Sequence, residues 1–245
     1  MKSVAIYSLK GGVGKTTFAV NLAWCAAALS SRRTLLWDLD GQAAASFLLG
    51  GERKGSREAE AIVAREIKPA ALIRRTEFQR LDLLPADRSL RTLDRVFLRL
   101  DRRKRLRKLL DTIGVDYDRI VLDCPPGLNE TSDQILRAAS LVVVPVMPSR
   151  LSYRALDEIA EHVDRERMGT VLMPVLNMID RRRSNDKAAL EEHPEWPSIP
   201  ASSAIASMAS HHAPVGDFAP RSPSALAFAR LWSSIERRLS KGDAR

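Results

Sequence analysis

Short apolar runs at residues 3–7, 34–37, 81–84, 119–122, 141–146 and 171–176 punctuate the chain, separated by longer mixed segments. The runs are nearly continuous in Val, Ile and Leu, the pattern of strands covered on both faces, and the intervening stretches are long enough for crossover helices. This predicts an α/β fold: a doubly wound, mostly parallel sheet with helices on both faces, whose ligands bind beyond the carboxyl ends of the strands. Residues 18–23 read as a helix, and Ala225, Phe228, Ala229, Trp232, Ile235 and Leu239 fall at helical spacing, predicting a closing helix packed on the sheet. Residues 50–56 and 184–200, the latter holding Pro194 and Pro197, read as surface loops. The pattern has no internal repeat and is read as one domain over 1–245. The N-terminus runs directly into the first strand, leaving no room for a secretory signal or a separate leading DNA-binding domain.

Between the first strand and the first helix stands Leu9-Lys10-Gly11-Gly12-Val13-Gly14-Lys15-Thr16-Thr17. Strand, glycine-rich loop and helix in this order form the context of a phosphate-binding loop, whose N–H groups cradle phosphates at a helix N-terminus. In such a loop Lys15 reaches the β- and γ-phosphates and the Thr16 hydroxyl ligates Mg²⁺. The usual pattern wants glycine at position 9, where this chain has leucine, and it adds Lys10 directly before the glycine pair. The run resembles the deviant Walker A motif of the ParA/MinD family of P-loop ATPases. The resemblance implies ATP and Mg²⁺ as cofactors, with Gly11, Gly12, Val13, Gly14, Lys15, Thr16 and Thr17 around the nucleotide.

Two further strands end in acids. Asp38 and Asp40, at i and i+2 after residues 34–37, point the same way from an extended chain. By the resemblance this is the switch region: Asp38 organises Mg²⁺ and its waters, and Asp40 positions the attacking water. Relatives often have proline where this chain has Gly41, which implies a looser loop. Asp123, closing residues 119–122 and followed by Cys124-Pro125-Pro126-Gly127, matches a Walker B aspartate that holds Mg²⁺ through water. Asn177, after the run 171–176, stands where relatives read adenine with a polar side chain; a capping or turn role is the other reading.

Lys15 and Mg²⁺ already neutralise much of a triphosphate, so the extra Lys10 gains its effect across an interface. The resemblance implies an ATP-dependent homodimer in which each Lys10 reaches the partner's phosphates, as an arginine finger does.

Composition narrows the partners. The chain has 245 residues, 45% hydrophobic and 28% charged, with a net charge of +9 and a pI near 10.0. That excess points to a polyanionic partner. Arg95, Arg99, Arg102, Arg103, Lys104, Arg105, Arg107 and Lys108 form one basic cluster, for which a solvated helix face is an equal account. Arg181, Arg182 and Arg183 form a second cluster; with Arg150, Arg221, Arg230, Arg237 and Arg238 they are the candidate contacts to non-specific, nucleoid DNA. Two distant cysteines, Cys25 and Cys124, suit free thiols in a cytoplasmic protein better than a disulfide or metal site. No uncharged apolar stretch reaches the roughly 20 residues of a membrane span. The leading expectation is a ParA-like ATPase that positions a plasmid, chromosome or protein cluster and is stimulated by an adaptor protein. The alternatives are a MinD-like membrane-surface ATPase anchored by its closing helix, and a metabolic ligase of the dethiobiotin-synthetase type.

Overall fold

The computed structural model describes residues 1–50, 61–62, 68–87, 89–90, 94–95, 97 and 104–241. Its strands are β1 (Lys2–Ile6), β2 (Thr34–Asp38), β3 (Arg74–Arg75), β4 (Leu81–Leu84), β5 (Arg119–Asp123), β6 (Leu141–Val146), β7 (Leu172–Ile179) and β8 (Ser198–Pro200). They form one sheet in the order β3-β4-β2-β5-β1-β6-β7-β8, parallel throughout except for the two-residue edge strand β3. The six apolar runs thus all become strands, within a residue or so at each end except at β7. There the strand continues three residues past the apolar run, to Ile179.

The helices are α1 (Lys15–Leu29), α2 (Ala44–Leu48), α3 (Arg105–Ile113), α4 (Glu130–Ala138), α5 (Arg150–Arg165), α6 (Ser184–Glu192), α7 (Ser203–Ala206), α8 (Met208–His211), α9 (Val215–Phe218) and α10 (Pro223–Lys241). One face of the sheet carries α3, α4 and α5, packed through Leu106, Leu110, Ile135, Leu136 and Ile159 against Leu35, Ile120 and Val142. The other carries α1, α2 and α10, with Phe18, Leu22, Phe228 and Trp232 against Val4, Leu36 and Val121. Because α1 lies between the sheet and α10, most of its positions are buried, which is why its sequence is apolar nearly all round.

Two corrections concern the C-terminal third. Residues 184–200 are not a loop: 184–192 form α6 and 198–200 form the edge strand β8. Lys187 to Glu192 are strong helix formers, and the prolines at 194 and 197 lie beyond the helix they were read as breaking. In α10 the buried stripe is Ala225, Phe228, Trp232, Ile235 and Leu239 together with Ala227 and Leu231, while Ala229 is only half-buried. That face is spent on the core, so the helix keeps little apolar surface for a bilayer; among its described residues the large exposed hydrophobic is Leu226. No helix among the described residues is long and apolar enough to cross a membrane. Cys25 and Cys124 are free and buried. Of the expected loop at 50–56, residues 51–56 lie outside the described residues.

Candidate nucleotide site

The chemistry-bearing residues meet because of strand register. Ile6 on β1 pairs with Asp123 on β5, and Asp123 pairs with Asp38 on β2, so three adjacent strands deliver the glycine loop and both aspartates to one edge of the sheet. The Leu39 amide donates to the Asp123 carbonyl at 2.9 Å, tying the switch segment to the end of β5.

Gly14 caps α1 with φ of 89°, and a Cβ there would stand 2.8 Å from the Asn177 amide nitrogen, so conformation and space both demand glycine. Lys15 is buried and donates from Nζ to the Lys10 carbonyl at 3.4 Å, spanning the loop where phosphates would lie. Lys10 is half-buried and Gly11 and Gly12 are exposed, so the front of the loop faces solvent.

Asp38 is fully buried. Its Oδ2 accepts from the Ser46 amide at 2.8 Å and the Ser46 hydroxyl at 2.7 Å, and its Oδ1 accepts from the Asp40 amide at 3.1 Å. Burial pushes its pKa up to about 6 against these bonds. Ser46 Oγ also accepts from the Ala86 amide at 2.9 Å, so Asp38 is anchored through α2 to the chain beyond β4. Asp40 is half-buried, and its Oδ1 accepts from the Gln42 amide at 2.9 Å, closing the turn that Gly41 occupies.

Asp123 is buried completely and both carboxylate oxygens lack a hydrogen-bond partner. Burial first, then the charge on Asp38, holds its pKa well above the usual carboxylate range; Thr16 and Lys15 act in the opposite direction. Two buried carboxylates side by side, one of them unpartnered, form a donor set suited to a cation. Hard oxygen ligands with a hydroxyl nearby fit Mg²⁺. Thr16, Asp38 and Asp123 are thus the residues able to hold it, directly or through water.

Beside the loop lies a cavity of about 840 Å³, lined by Gly14, Thr17, Met147, Pro148, Asn177, Met178, Pro200 and Ile205 among others. Its size and mixed lining suit a nucleoside. Asn177 is buried and donates from Nδ2 to the Val13 carbonyl at 2.8 Å, so it braces the loop as well as lining the cavity. Next to it the strand bulges: register slips between Leu176 and Ile179, and Met178 takes a φ of 59°, which leaves its side chain partly exposed at the cavity wall.

Sequence reading missed two residues. Ser46 anchors Asp38 from eight positions away, a spacing with no motif behind it. Tyr7, read only as a strand residue, is buried and donates from its hydroxyl to the Gly127 carbonyl at 2.8 Å, holding the loop after Asp123 against β1. A phenol ending a buried strand was the available signal.

The candidate arginines are exposed throughout, but they do not form one patch. Arg181, Arg182 and Arg230 share a cavity of about 380 Å³. Arg182 is held by Asp180 at 2.8 Å, which keeps the Asp180 carboxyl well below the usual range. Arg237 and Arg238 directly follow Glu236, which pairs with Arg119 and Arg32 at the amino ends of β5 and β2, so they sit at the opposite end of the sheet from the glycine loop. In the first basic cluster, Arg99, Arg102 and Arg103 lie outside the described residues; Arg105 is buried, and Arg95, Lys104, Arg107 and Lys108 are exposed.

Comparison with known proteins agrees with this geometry. An AAA domain family model matches residues 1–170. The sporulation initiation inhibitor protein Soj of Bacillus subtilis is 30% identical over 248 residues, covering 96% of this chain and 98% of Soj. The chromosome partitioning protein ParA of Caulobacter vibrioides is 33% identical over 193 residues, covering 75% of this chain and 72% of that protein. The septum site-determining protein MinD of Pyrococcus horikoshii, solved with Mg-ADP, superposes with a TM-score of 0.77 over 96% of this chain and 95% of its own, at 22% identity. With two aspartates and a doubled-lysine glycine loop gathered at the end of a parallel sheet, and relatives matching along nearly its whole length, the chain belongs to the ParA/MinD family of P-loop ATPases.

Proposed function

We propose that this protein is an ATP-driven switch of association state, a single ATPase domain that acts on the nucleoid in the cytoplasm. Two copies close on two ATP molecules, the dimer binds DNA without sequence preference, and an adaptor stimulates the slow hydrolysis that releases it. A cargo held through that adaptor, whether plasmid, chromosome or protein cluster, is thereby positioned or segregated. The observation carrying this reading is the division of labour between the lysines: Lys15 is buried within the loop, whereas Lys10 stands at its half-open front, free to serve a nucleotide outside its own subunit.

In the closed dimer Lys15 binds the phosphates of its own ATP, and Lys10 brings positive charge to the partner's phosphoryl group as charge develops there. Asp40 orients the water, held by its turn with Gln42. Bound Mg²⁺ supplies charge neutralisation of the phosphate oxygens, with Thr16, Asp38 and Asp123 as its holders. Asn177 and the cavity wall take the base. Arg181, Arg182, Arg183, Arg221, Arg230 and Arg150 supply phosphate contacts that dimerisation doubles. Arg237 and Arg238, at the far end, contribute less.

Sizing with saturating Mg-ATP tests the switch. The wild-type chain dimerises, Asp40→Ala stays trapped as a dimer, and Lys10→Ala loses productive hydrolysis. Titration of a duplex at two salt concentrations shows binding with ATP that weakens with salt and is lost with ADP. A chain that stays monomeric under saturating Mg-ATP, or binds DNA regardless of nucleotide, overturns the proposal.

A further inference from the structure

Asn177 stands between the glycine loop and the nucleoside cavity, and the lengths of the strands decide what it can reach. β7 is two strands away from β1, with β6 between them. Leu176 pairs with Val146, the last residue of β6, so Asn177 lies just past the end of β6 and can pass over it to the loop that follows β1. The register slip between Leu176 and Ile179 turns neighbouring side chains apart, burying Asn177 while Met178 stays partly exposed at the cavity wall.

The loop holds itself only loosely. Gly14 caps α1 without a side-chain bond, the Lys15 ammonium reaches the Lys10 carbonyl at 3.4 Å, and the Lys10 amide reaches the Ser8 hydroxyl at 3.3 Å. Both bonds are local, and both are longer than a well-formed hydrogen bond. Among the described residues, the one side chain from elsewhere in the chain that bonds to residues 8–14 is that of Asn177. Its Nδ2 donates to the Val13 carbonyl at 2.8 Å, across 164 residues of sequence. A Cβ on Gly14 would stand 2.8 Å from the same nitrogen, so the amide rests directly on the main chain of the loop. A carbonyl can only accept, which fixes the way the amide faces: nitrogen toward the loop, leaving Oδ1, to which no described group donates, for the cavity.

We infer that Asn177 is a positioning residue of the glycine loop, which holds Val13 and Gly14 in phosphate-binding form before any base arrives. It thereby strengthens binding of the triphosphate end of the nucleotide independently of the adenine end. This rests on the reading of the loop as the seat of the triphosphate. A residue that only reads the base acts only on ligands that carry one. A residue that fixes the main chain acts on every ligand whose phosphates use the N–H groups of the loop.

The test compares Mg-ATP with Mg-tripolyphosphate, which has the phosphates and no base, by titration calorimetry on the full chain. Wild type binds both. Asn177→Ala weakens Mg-tripolyphosphate about tenfold, the scale of one lost hydrogen bond to a buried carbonyl, and weakens Mg-ATP at least as much. Asn177→Leu keeps the buried volume, lacks the donor and does the same; it takes the place of the alanine variant should that one melt without cooperativity. Met178→Ala trims the cavity wall, weakening Mg-ATP about threefold and leaving Mg-tripolyphosphate unchanged. In the ligand-free wild type, one Nδ2 proton of Asn177 exchanges slowly with solvent by NMR. Loss of Mg-ATP affinity in Asn177→Ala with Mg-tripolyphosphate untouched overturns the inference, for Asn177 then serves the base alone. It also falls if wild type binds Mg-ATP but not Mg-tripolyphosphate, or if both Nδ2 protons exchange rapidly. A wild-type chain that binds neither ligand would instead refute the loop as a triphosphate site, a failure distinguishable from these.

Discussion

Replacing Asp123 by asparagine should stabilise the protein without nucleotide and destabilise it relative to wild type once Mg-ADP is added. In the free protein this carboxylate is fully buried with neither oxygen partnered, beside the buried Asp38. Asp38, better hydrogen-bonded, is still pushed up to about 6 by burial, on the order of 3 kcal/mol of resistance to ionisation. Asp123, whose ionisation is opposed by burial and then by Asp38, carries a penalty of the same kind, which a neutral amide of the same shape lacks even though it leaves polar atoms equally unpartnered. The sign follows from linkage. Below about pH 4 the acid is protonated folded or unfolded and Asp123→Asn gains nothing. As pH rises, the unfolded chain ionises first while burial still opposes ionisation in the fold, so the penalty grows until pH exceeds the raised folded pKa. Thermal melts at pH 5 and pH 8 should therefore show a larger advantage for Asp123→Asn at pH 8. A gain of about 2 kcal/mol corresponds to about 4–8 °C in a chain of this length. Adding Mg-ADP at about 100 times Kd stabilises wild type by about 2.7 kcal/mol and the variant much less, reversing the order. Asp123→Asn melting below wild type at pH 8 without nucleotide would refute the reading of Asp123 as a carboxyl whose ionisation the fold opposes.

Tyr7→Phe removes only the hydroxyl that holds Gly127, and amide exchange at 125–129 should speed up while Mg-ADP affinity changes less than about threefold; unchanged exchange would show the bond to be idle. Gly216→Ala would drive a Cβ into the Trp24 ring and should cost about 1–3 kcal/mol by denaturant unfolding. Ala43 caps α2 with a φ of 56°, a conformation that costs a residue with a Cβ about 1–2 kcal/mol, so Ala43→Gly should raise the denaturant midpoint despite the added freedom of its unfolded chain.

The sheet was legible because a strand buried on both faces must be apolar throughout, and no other local structure yields 141–146 or 119–122 so economically. The gathering of the glycine loop and the acids was legible for a related reason: glycines at 11, 12 and 14 and acids closing 34–38 and 119–123 each follow a strand directly, and a parallel sheet brings such positions to one edge. What stayed hidden depends on pairs brought together by folding. Ser46 meets Asp38 only because α2 turns back on β2. The Tyr7 hydroxyl finds Gly127 across 120 residues of chain. The bulge at Met178 leaves no mark in a run of apolar letters. Residues 184–192 were misread for another reason: Pro194 and Pro197 were weighed as breakers of the whole segment, when a proline acts on its own turn and spares the helix before it. The arginines show the same limit. Helical spacing put Arg230 and Arg237 on one helix, but only the fold shows that they serve opposite ends of the sheet.

That last geometry bears on how the protein can be watched in living cells. The closing helix starts beside the cavity wall, where Ser224 donates to Ser202 at 3.1 Å, and its 19 residues carry the chain about 28 Å away from the glycine loop. A fluorescent reporter joined beyond Lys241 would ride on the distal side of the particle, clear of the surface where two copies would meet. The same reporter joined ahead of β1 would also start from that distal side, since Lys2 pairs with Arg119 at the amino end of the sheet. Either terminus can therefore carry a label without obstructing the nucleotide mouth, and a pair of labels on both would report on the body of the protein rather than on its gate.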